Sequence, residues 1–145
     1  MVTEATTTAV DRVLDEWLAS WTAHDVGRIQ ALFADAMEHE DVPVAAINRS
    51  KDDLRVFAEA WFAVSPDIHF ECTGKVMTGT RAAVEWVGGG THQGDLPGMP
   101  ATGKRWQVRG VSVVELEGGK IIRCRDYWDF ATVMRQLGFL PETPK

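Results

Sequence analysis

Apolar residues recur at helical spacing in the first third of the chain and at alternate positions later. Val10, Val13, Leu14, Trp17, Leu18 and Trp21 fall at i, i+3, i+4, i+7, i+8 and i+11, one face of an amphipathic helix. That spacing predicts a helix over the first 23 residues. Thr8 and Asp11 form a capping-box-like start, and residues before about Thr6 have no apolar anchor. A second, shorter helix starts at Asp25, a favoured N-cap type, and turns Val26, Ile29, Leu32 and Phe33 inward. A third follows Ser50, with Asp53 three residues on. Its stripe is Leu54, Phe57, Trp61 and Val64, and Ser65-Pro66 stops it.

The period then changes from 3.6 to 2. Strands are expected at about 67–76, 81–91 and 105–116, with Gly74 and Gly79 as bulge or turn residues. Glu117-Gly118-Gly119-Lys120 reads as a hairpin turn. A fourth strand runs from Lys120 to about Trp128, Asp129 caps a last helix over 130–137, and Gly138 ends it. Helices first and antiparallel strands afterwards argue for an α+β fold. The expected architecture is a curved, mostly antiparallel sheet wrapped around N-terminal helices, a cone with an internal pocket. Residues 1–145 form one domain, frayed at about 1–6 and 141–145. The segment 92–104, HQGDLPGMPATGK, is long for a hairpin connection. It reads either as an ordered rim loop or as a solvated turn.

Charge narrows the function. The 15 basic and 21 acidic side chains give a net charge of −6, which argues against a nucleic-acid partner. No apolar run approaches the roughly 20 residues of a membrane span, so no membrane partner is expected. The polar N-terminus lacks a basic stretch ahead of an apolar one, so no signal peptide is expected and the location is read as cytoplasmic. Cys72 and Cys124 make no metal or disulfide framework and read as free buried thiols. Six Trp and six Phe beside a single Tyr point to a large apolar interior or cavity wall.

The strand KIIRCRDYWD carries the main candidate. Alternation puts Ile122, Cys124, Asp126 and Trp128 on one face and Ile121, Arg123, Arg125 and Tyr127 on the other. A lone carboxylate among apolar neighbours is expensive to bury charged. Burial raises its pKa towards acid/base chemistry; the alternative is a structural pairing of Asp126 with an arginine. In Glu38-His39-Glu40-Asp41-Val42-Pro43, a short edge strand would put His39 and Asp41 on one face, where an imidazole and a carboxylate can orient a water or a substrate oxygen. An exposed acidic edge is the other reading. His92 follows Gly88-Gly89-Gly90-Thr91, which allow close backbone approach or a sharp bend, and a rim histidine there can contact a ligand. Glu85 and Trp86 lie on opposite faces of the strand leading to it. The histidines His24, His39, His69 and His92 show no metal-ligand spacing, and no nucleophile-elbow motif is present; neither metal nor cofactor is expected.

Four segments then carry a family resemblance. Gly90-Thr91-His92-Gln93-Gly94, Pro100-Ala101-Thr102-Gly103-Lys104-Arg105, Gly119-Lys120-Ile121 and Gln136-Leu137-Gly138 resemble the SnoaL-like polyketide cyclases of the nuclear-transport-factor-2-like superfamily, from about Val10 to Leu140. The resemblance implies the cone fold, no cofactor, and Asp126 as the acid/base group of an intramolecular aldol closure. It also implies a homodimer through the outer sheet face carrying Arg123, Arg125 and Tyr127. The run Arg125-Asp126-Tyr127-Trp128-Asp129 is similar to the last strand of limonene-type epoxide hydrolases, which also implies a catalytic role for Asp126. That family's water-holding Tyr-x-Asn-x-Pro segment would fall on His39, Asp41 and Pro43, with both polar residues changed. Its Arg-x-Asp pair would fall near Trp86 and Gly88, with neither charge present. The expected function is therefore a cofactor-independent acid/base enzyme, a cyclase or isomerase, on a small hydrophobic polyketide-, terpenoid- or steroid-like molecule. Asp126, His39 and Asp41 are the catalytic candidates, and Trp17, Trp21, Phe33, Phe57, Trp61, Trp86, His92 and Trp128 the binding candidates, with Trp106 on the same wall. An epoxide hydrolase and a non-catalytic binding protein are the alternatives. The apolar cavity, with Ile122 and Trp128 beside Asp126, is expected to receive Asp126, His39 and Asp41 together.

Overall fold

A computed structural model describes residues 3–142. The chain folds as α1 (Glu4–Thr22), α2 (Val26–Ala31), β1 (Phe33–Asp41), β2 (Ala46–Asn48), α3 (Lys51–Val64), β3 (His69–Thr78), β4 (Arg81–Thr91), β5 (Arg105–Glu117), β6 (Lys120–Trp128) and α4 (Phe130–Leu137). Each helix starts where a short polar side chain takes up an orphan backbone N–H. Thr3, Asp25, Ser50 and Asp129 accept from the amides of Thr6, Arg28, Asp53 and Thr132. The first helix therefore begins at Glu4 and not at Thr8, because Thr3 supplies a cap that the apolar stripe does not reveal. Residues 1, 2 and 143–145 of the expected frayed ends lie outside the described residues.

The second helix also ends sooner than its apolar spacing suggests. The Leu32 carbonyl accepts from the Ile121 amide at 2.8 Å, so the chain is already recruited into the sheet. Phe33 opens β1 instead of closing a helix. The six strands lie in the order β2-β1-β6-β5-β4-β3. All neighbours are antiparallel except β1 and β6, which run parallel. The sheet is open, and α1 packs across β3 while α4 closes on β5. The 38–41 segment is thus no edge strand; β1 is covered on one side by β2 and on the other by β6.

Alternation on β6 is interrupted once. Glu115 faces Arg123 and Leu116 faces Ile121, which leaves Ile122 as an extra residue. This bulge turns Ile121 into the core at 0% exposure and leaves Ile122 only half-buried. Cys124 and Asp126 keep the inward face that strand period 2 assigns them. The β5–β6 hairpin turns on Gly118 and Gly119, with φ of 57° and 79°, the left-handed pair that a tight hairpin requires.

The core lies between the helices and the concave sheet face. Leu14, Ile29, Leu54, Val84, Val114 and Ile121 are each wholly buried. At one end of this layer the packing opens into a cavity. No helix among the described residues is long and apolar enough to cross a membrane.

Candidate active site

Asp126 sits at the centre of three strands. Its register partners are Ser112 on β5 and Asp41 on β1, so the topology alone puts two carboxylates and a hydroxyl side by side. All three line a cavity of about 760 Å³, counted with its open mouth. The rest of the wall is almost wholly apolar. Trp17, Trp21, Phe57, Trp61, Trp86 and Trp128 all reach it. Trp106 and His92 lie towards the other end.

The surroundings of Asp126 are fully wired. Ser112 Oγ accepts from the indole N–H groups of Trp17 at 3.0 Å and Trp86 at 3.1 Å. Those two donors occupy both hydroxyl lone pairs. The Ser112 proton is therefore directed onto Asp126 Oδ1, 2.7 Å away. The other carboxylate oxygen, Oδ2, lies 2.7 Å from His39 Nε2. Asn48 Nδ2 donates to His39 Nδ1 at 3.1 Å, which leaves Nε2 as the N–H that donates to Asp126. Cys124 adds a weak thiol contact to Oδ1 at 3.6 Å. Donors converging on both oxygens suit a carboxylate anion.

Asp41 is placed differently. It is 5% exposed and receives a single side-chain hydrogen bond, from Trp128 Nε1 at 2.9 Å. Burial, and then the negative charge of Asp126, push its carboxyl up to about 7. Burial together with the same neighbouring carboxylate pushes the Cys124 thiol up as well. Two carboxyl groups thus share one cavity with environments that separate their roles.

Four sequence expectations change here. His39 does not reach the cavity. It is wholly buried behind Asp126, packed against Phe57 at 5.2 Å and Trp17 at 5.8 Å between ring centroids. The expected His39–Asp41 pairing is replaced by His39–Asp126, because β1 and β6 run parallel and bring 39 beside the 124–126 stretch. Phe33 is likewise no wall residue; it is 1% exposed and packs under Trp17. Cys72 is exposed, against the expectation of two buried thiols, while Cys124 is buried and both are free. Trp86 and not Glu85 faces inward.

Sequence reasoning missed Ser112, Asn48 and Gly110. Ser112 had a legible signal, since it is the lone polar residue on the inward β5 face with Val108 and Val114. Asn48 lies on the three-residue strand β2, too short to read from period. At Gly110 a β-carbon would run into the Trp86 ring; glycine there leaves room for the indole that holds Ser112.

His39, Cys124 and Asp126 present donor atoms within 4.8 Å of one another, the spacing of a metal cluster. Each atom is engaged by another member, and the raised Cys124 thiol is a poor metal ligand. A cation here would have to break the hydrogen bonds that orient Asp126.

The profile of the SnoaL-like polyketide cyclase family matches residues 11–137, and the chain belongs to that family. Over 84 residues it is 34% identical to the aklanonic acid methyl ester cyclase DauD of Streptomyces sp. (strain C5), covering 58% of this chain and 52% of that protein. It is 33% identical to the aklanonic acid methyl ester cyclase DnrD of Streptomyces peucetius, covering 58% of each. The match therefore spans just over half the length of these curated relatives. A solved structure from Jannaschia sp. CCS1, described as a SnoaL-like polyketide cyclase, superposes with a TM-score of 0.85 at 15% identity, over 97% of this chain and 99% of that one. At that identity the likeness shows the fold, an α+β cone.

Proposed function

We propose that this protein closes a carbon ring in a neutral polyketide ester by an intramolecular aldol reaction, with Asp126 as base and Asp41 as acid. The observation that carries the reading is the pairing of two differently wired carboxyl groups, on adjacent strands, in one tryptophan-lined cavity. Asp126, as the anion, takes a proton from carbon next to a carbonyl. The resulting enolate carbon attacks a second carbonyl of the same molecule. Asp41, as the carboxylic acid, protonates the oxygen that becomes the new hydroxyl. Proton exchange then returns Asp126 to the anion and Asp41 to the acid. The product is an isomer of the substrate, so proton transfer alone balances the reaction. His39 and Ser112 act through Asp126: they hold its plane and direct its remaining lone pair to the substrate.

The lining contains no Lys or Arg among the described residues. An anionic ligand would meet the Asp126 carboxylate and no counter-charge, which favours an ester over a free acid. The two relatives named for a methyl ester substrate point the same way. The test is turnover of aklanonic acid methyl ester followed by chromatography. A ring-closed isomer, lost in Asp126→Asn, supports the reading; no conversion by the wild type overturns it.

The Asp41–Asp126 juxtaposition also favours a second reading, hydrolysis of an epoxide between two carboxyl groups. No arginine stands at the middle-strand position, where Trp86 donates instead to Ser112. Diol formation from limonene 1,2-oxide, without ester cyclisation, would select that reading. The proposal includes a homodimer across the outer face, where Tyr127 is 42% exposed and Arg125 pairs with Glu40 at 3.5 Å. A single 16.1 kDa species in light scattering at micromolar concentration would count against it. A cytoplasmic location belongs to the same proposal and suits the free, exposed Cys72.

A further inference from the structure

The side chains that contact Asp126 are hydrogen-bonded to it, but the other end of the cavity holds a polar atom without a partner among the described residues. His92 follows β4 directly and is wholly buried, yet it forms part of the cavity wall. Its backbone anchors the rim loop: the His92 amide donates to Lys104 O at 2.9 Å, and Gly103 N donates to His92 O at 2.8 Å. The ring is oriented by the same loop. The Thr102 backbone N–H points at His92 Nδ1 at 3.3 Å, and Thr102 Oγ1 lies 3.1 Å from that nitrogen. A backbone N–H can only donate, so Nδ1 must offer its lone pair. In the neutral ring the proton then sits on Nε2.

Among the described residues no group accepts from His92 Nε2, although that atom is buried. A buried donor without an acceptor is rare and unfavourable. Phe139 closes one side of the ring edge-on, with centroids 6.1 Å apart. His92 itself is among the residues that line the cavity. Trp21 Nε1 is a second buried donor on this wall without an acceptor among the described residues.

The two ends are far apart. Ser112, opposite Asp126, and Trp106 are six residues apart on β5, about 20 Å of strand, and Thr91, beside His92, pairs with Arg105. A ligand that touches both ends must be several rings long, and flat enough to lie between indoles.

We propose that His92 Nε2–H reads the substrate, by donating to a carbonyl or quinone oxygen of a neutral, polyoxygenated, fused-ring ligand at the end remote from the reacting carbon. The proposal rests on the reading of this cavity as the substrate site, and it makes the acceptor oxygen a specificity requirement. His92 is a binding group in this scheme; the proton transfers stay with Asp126 and Asp41.

The test uses two probes of equal outline, 9,10-anthraquinone with two carbonyl oxygens and anthracene with none. Their dissociation constants are read from quenching of the cavity tryptophans. The ratio of the two constants is compared between wild type and His92→Phe, which cancels their difference in partitioning. The ratio in favour of the quinone is expected to fall about tenfold in the variant, the worth of one hydrogen bond of about 1.4 kcal/mol. A purely structural His92 would weaken both probes alike, and an unchanged ratio overturns the proposal. Should His92→Phe fail to fold, ¹⁵N-histidine spectra of the wild type decide. The proton is expected on Nε2, with that nitrogen shifting on anthraquinone but not on anthracene; a proton on Nδ1, or no selective shift, overturns it. Neither measurement needs turnover. No cyclisation by the wild type together with a ratio that falls in His92→Phe would sink the cyclase reading alone, and cyclisation together with an unchanged ratio would sink this proposal alone.

Discussion

Asp126 and Asp41 are neighbours in register, face the same cavity and are both nearly inaccessible to solvent, at 7% and 5% exposure. They differ in what the adjoining elements aim at them. Asp126 stands in the middle of the sheet, where β5 contributes Ser112, α1 and β4 contribute the indoles behind it, and β1 contributes His39. Asp41 stands at the end of β1 and receives one indole N–H from Trp128. Burial without that wiring, next to another carboxylate, keeps its proton on up to about pH 7. Strand register can place two like groups together, while their neighbours decide which gives a proton and which takes one.

Neutralising the better-wired carboxyl group is expected to have the largest effect. Asp126→Asn keeps the volume and removes the base, so kcat for ester cyclisation is expected to fall by about 10²-fold or more. Retained turnover would move the base elsewhere.

Removing the other carboxyl should show up in stability. The folded-state pKa of Asp41 lies above its value of 3.8 in an unfolded chain. Below about pH 4 both states are protonated and the group contributes nothing. Between about 4 and 7 the unfolded state ionises first, so folding loses stability as pH rises, and the loss is complete above about 7. Asp41→Asn is therefore expected to be more stable than wild type at pH 8, by up to about 4 kcal/mol from the shift, and to match it near pH 3.5. Urea denaturation at the two pH values checks this, and an equal difference at both would contradict it.

A smaller effect sharpens the wiring itself. Ser112→Ala removes the acceptor of two buried indole N–H groups and one donor to Asp126. A loss of about 1–3 kcal/mol per unmet buried donor should appear in denaturation, with a fall in kcat that Ser112→Thr restores in part. A stability unchanged within about 0.5 kcal/mol would mean that the indoles find other partners.

Most of the fold was legible because its signals are local. The spans of β4, β6 and α4 follow from alternation, from Asp129 as cap and from Gly138 in the left-handed C-cap conformation with φ of 89°. The wall aromatics and the inward turn of Asp126 follow from the same periods. What was not legible depends on pairing between distant segments. The parallel β1–β6 register moves His39 from the cavity to the back of Asp126 and takes Phe33 out of a helix. The bulge at Ile122 exchanges it with Ile121. Asn48 on its three-residue strand and Gly110 beneath Trp86 acquire their roles only when the sheet is assembled.

The division of labour between the two carboxyl groups is tested most directly by the pH dependence of kcat/KM, measured for wild type and for Asp41→Asn on the same ester. The wild-type value is expected to fall as pH rises through about 7, because the free enzyme loses the proton that Asp41 must give. The variant is expected to be slower at neutral pH and to lack that fall. Superimposable profiles, or a wild-type rate that climbs through pH 7, would contradict Asp41 as the acid and leave Asp126 working alone.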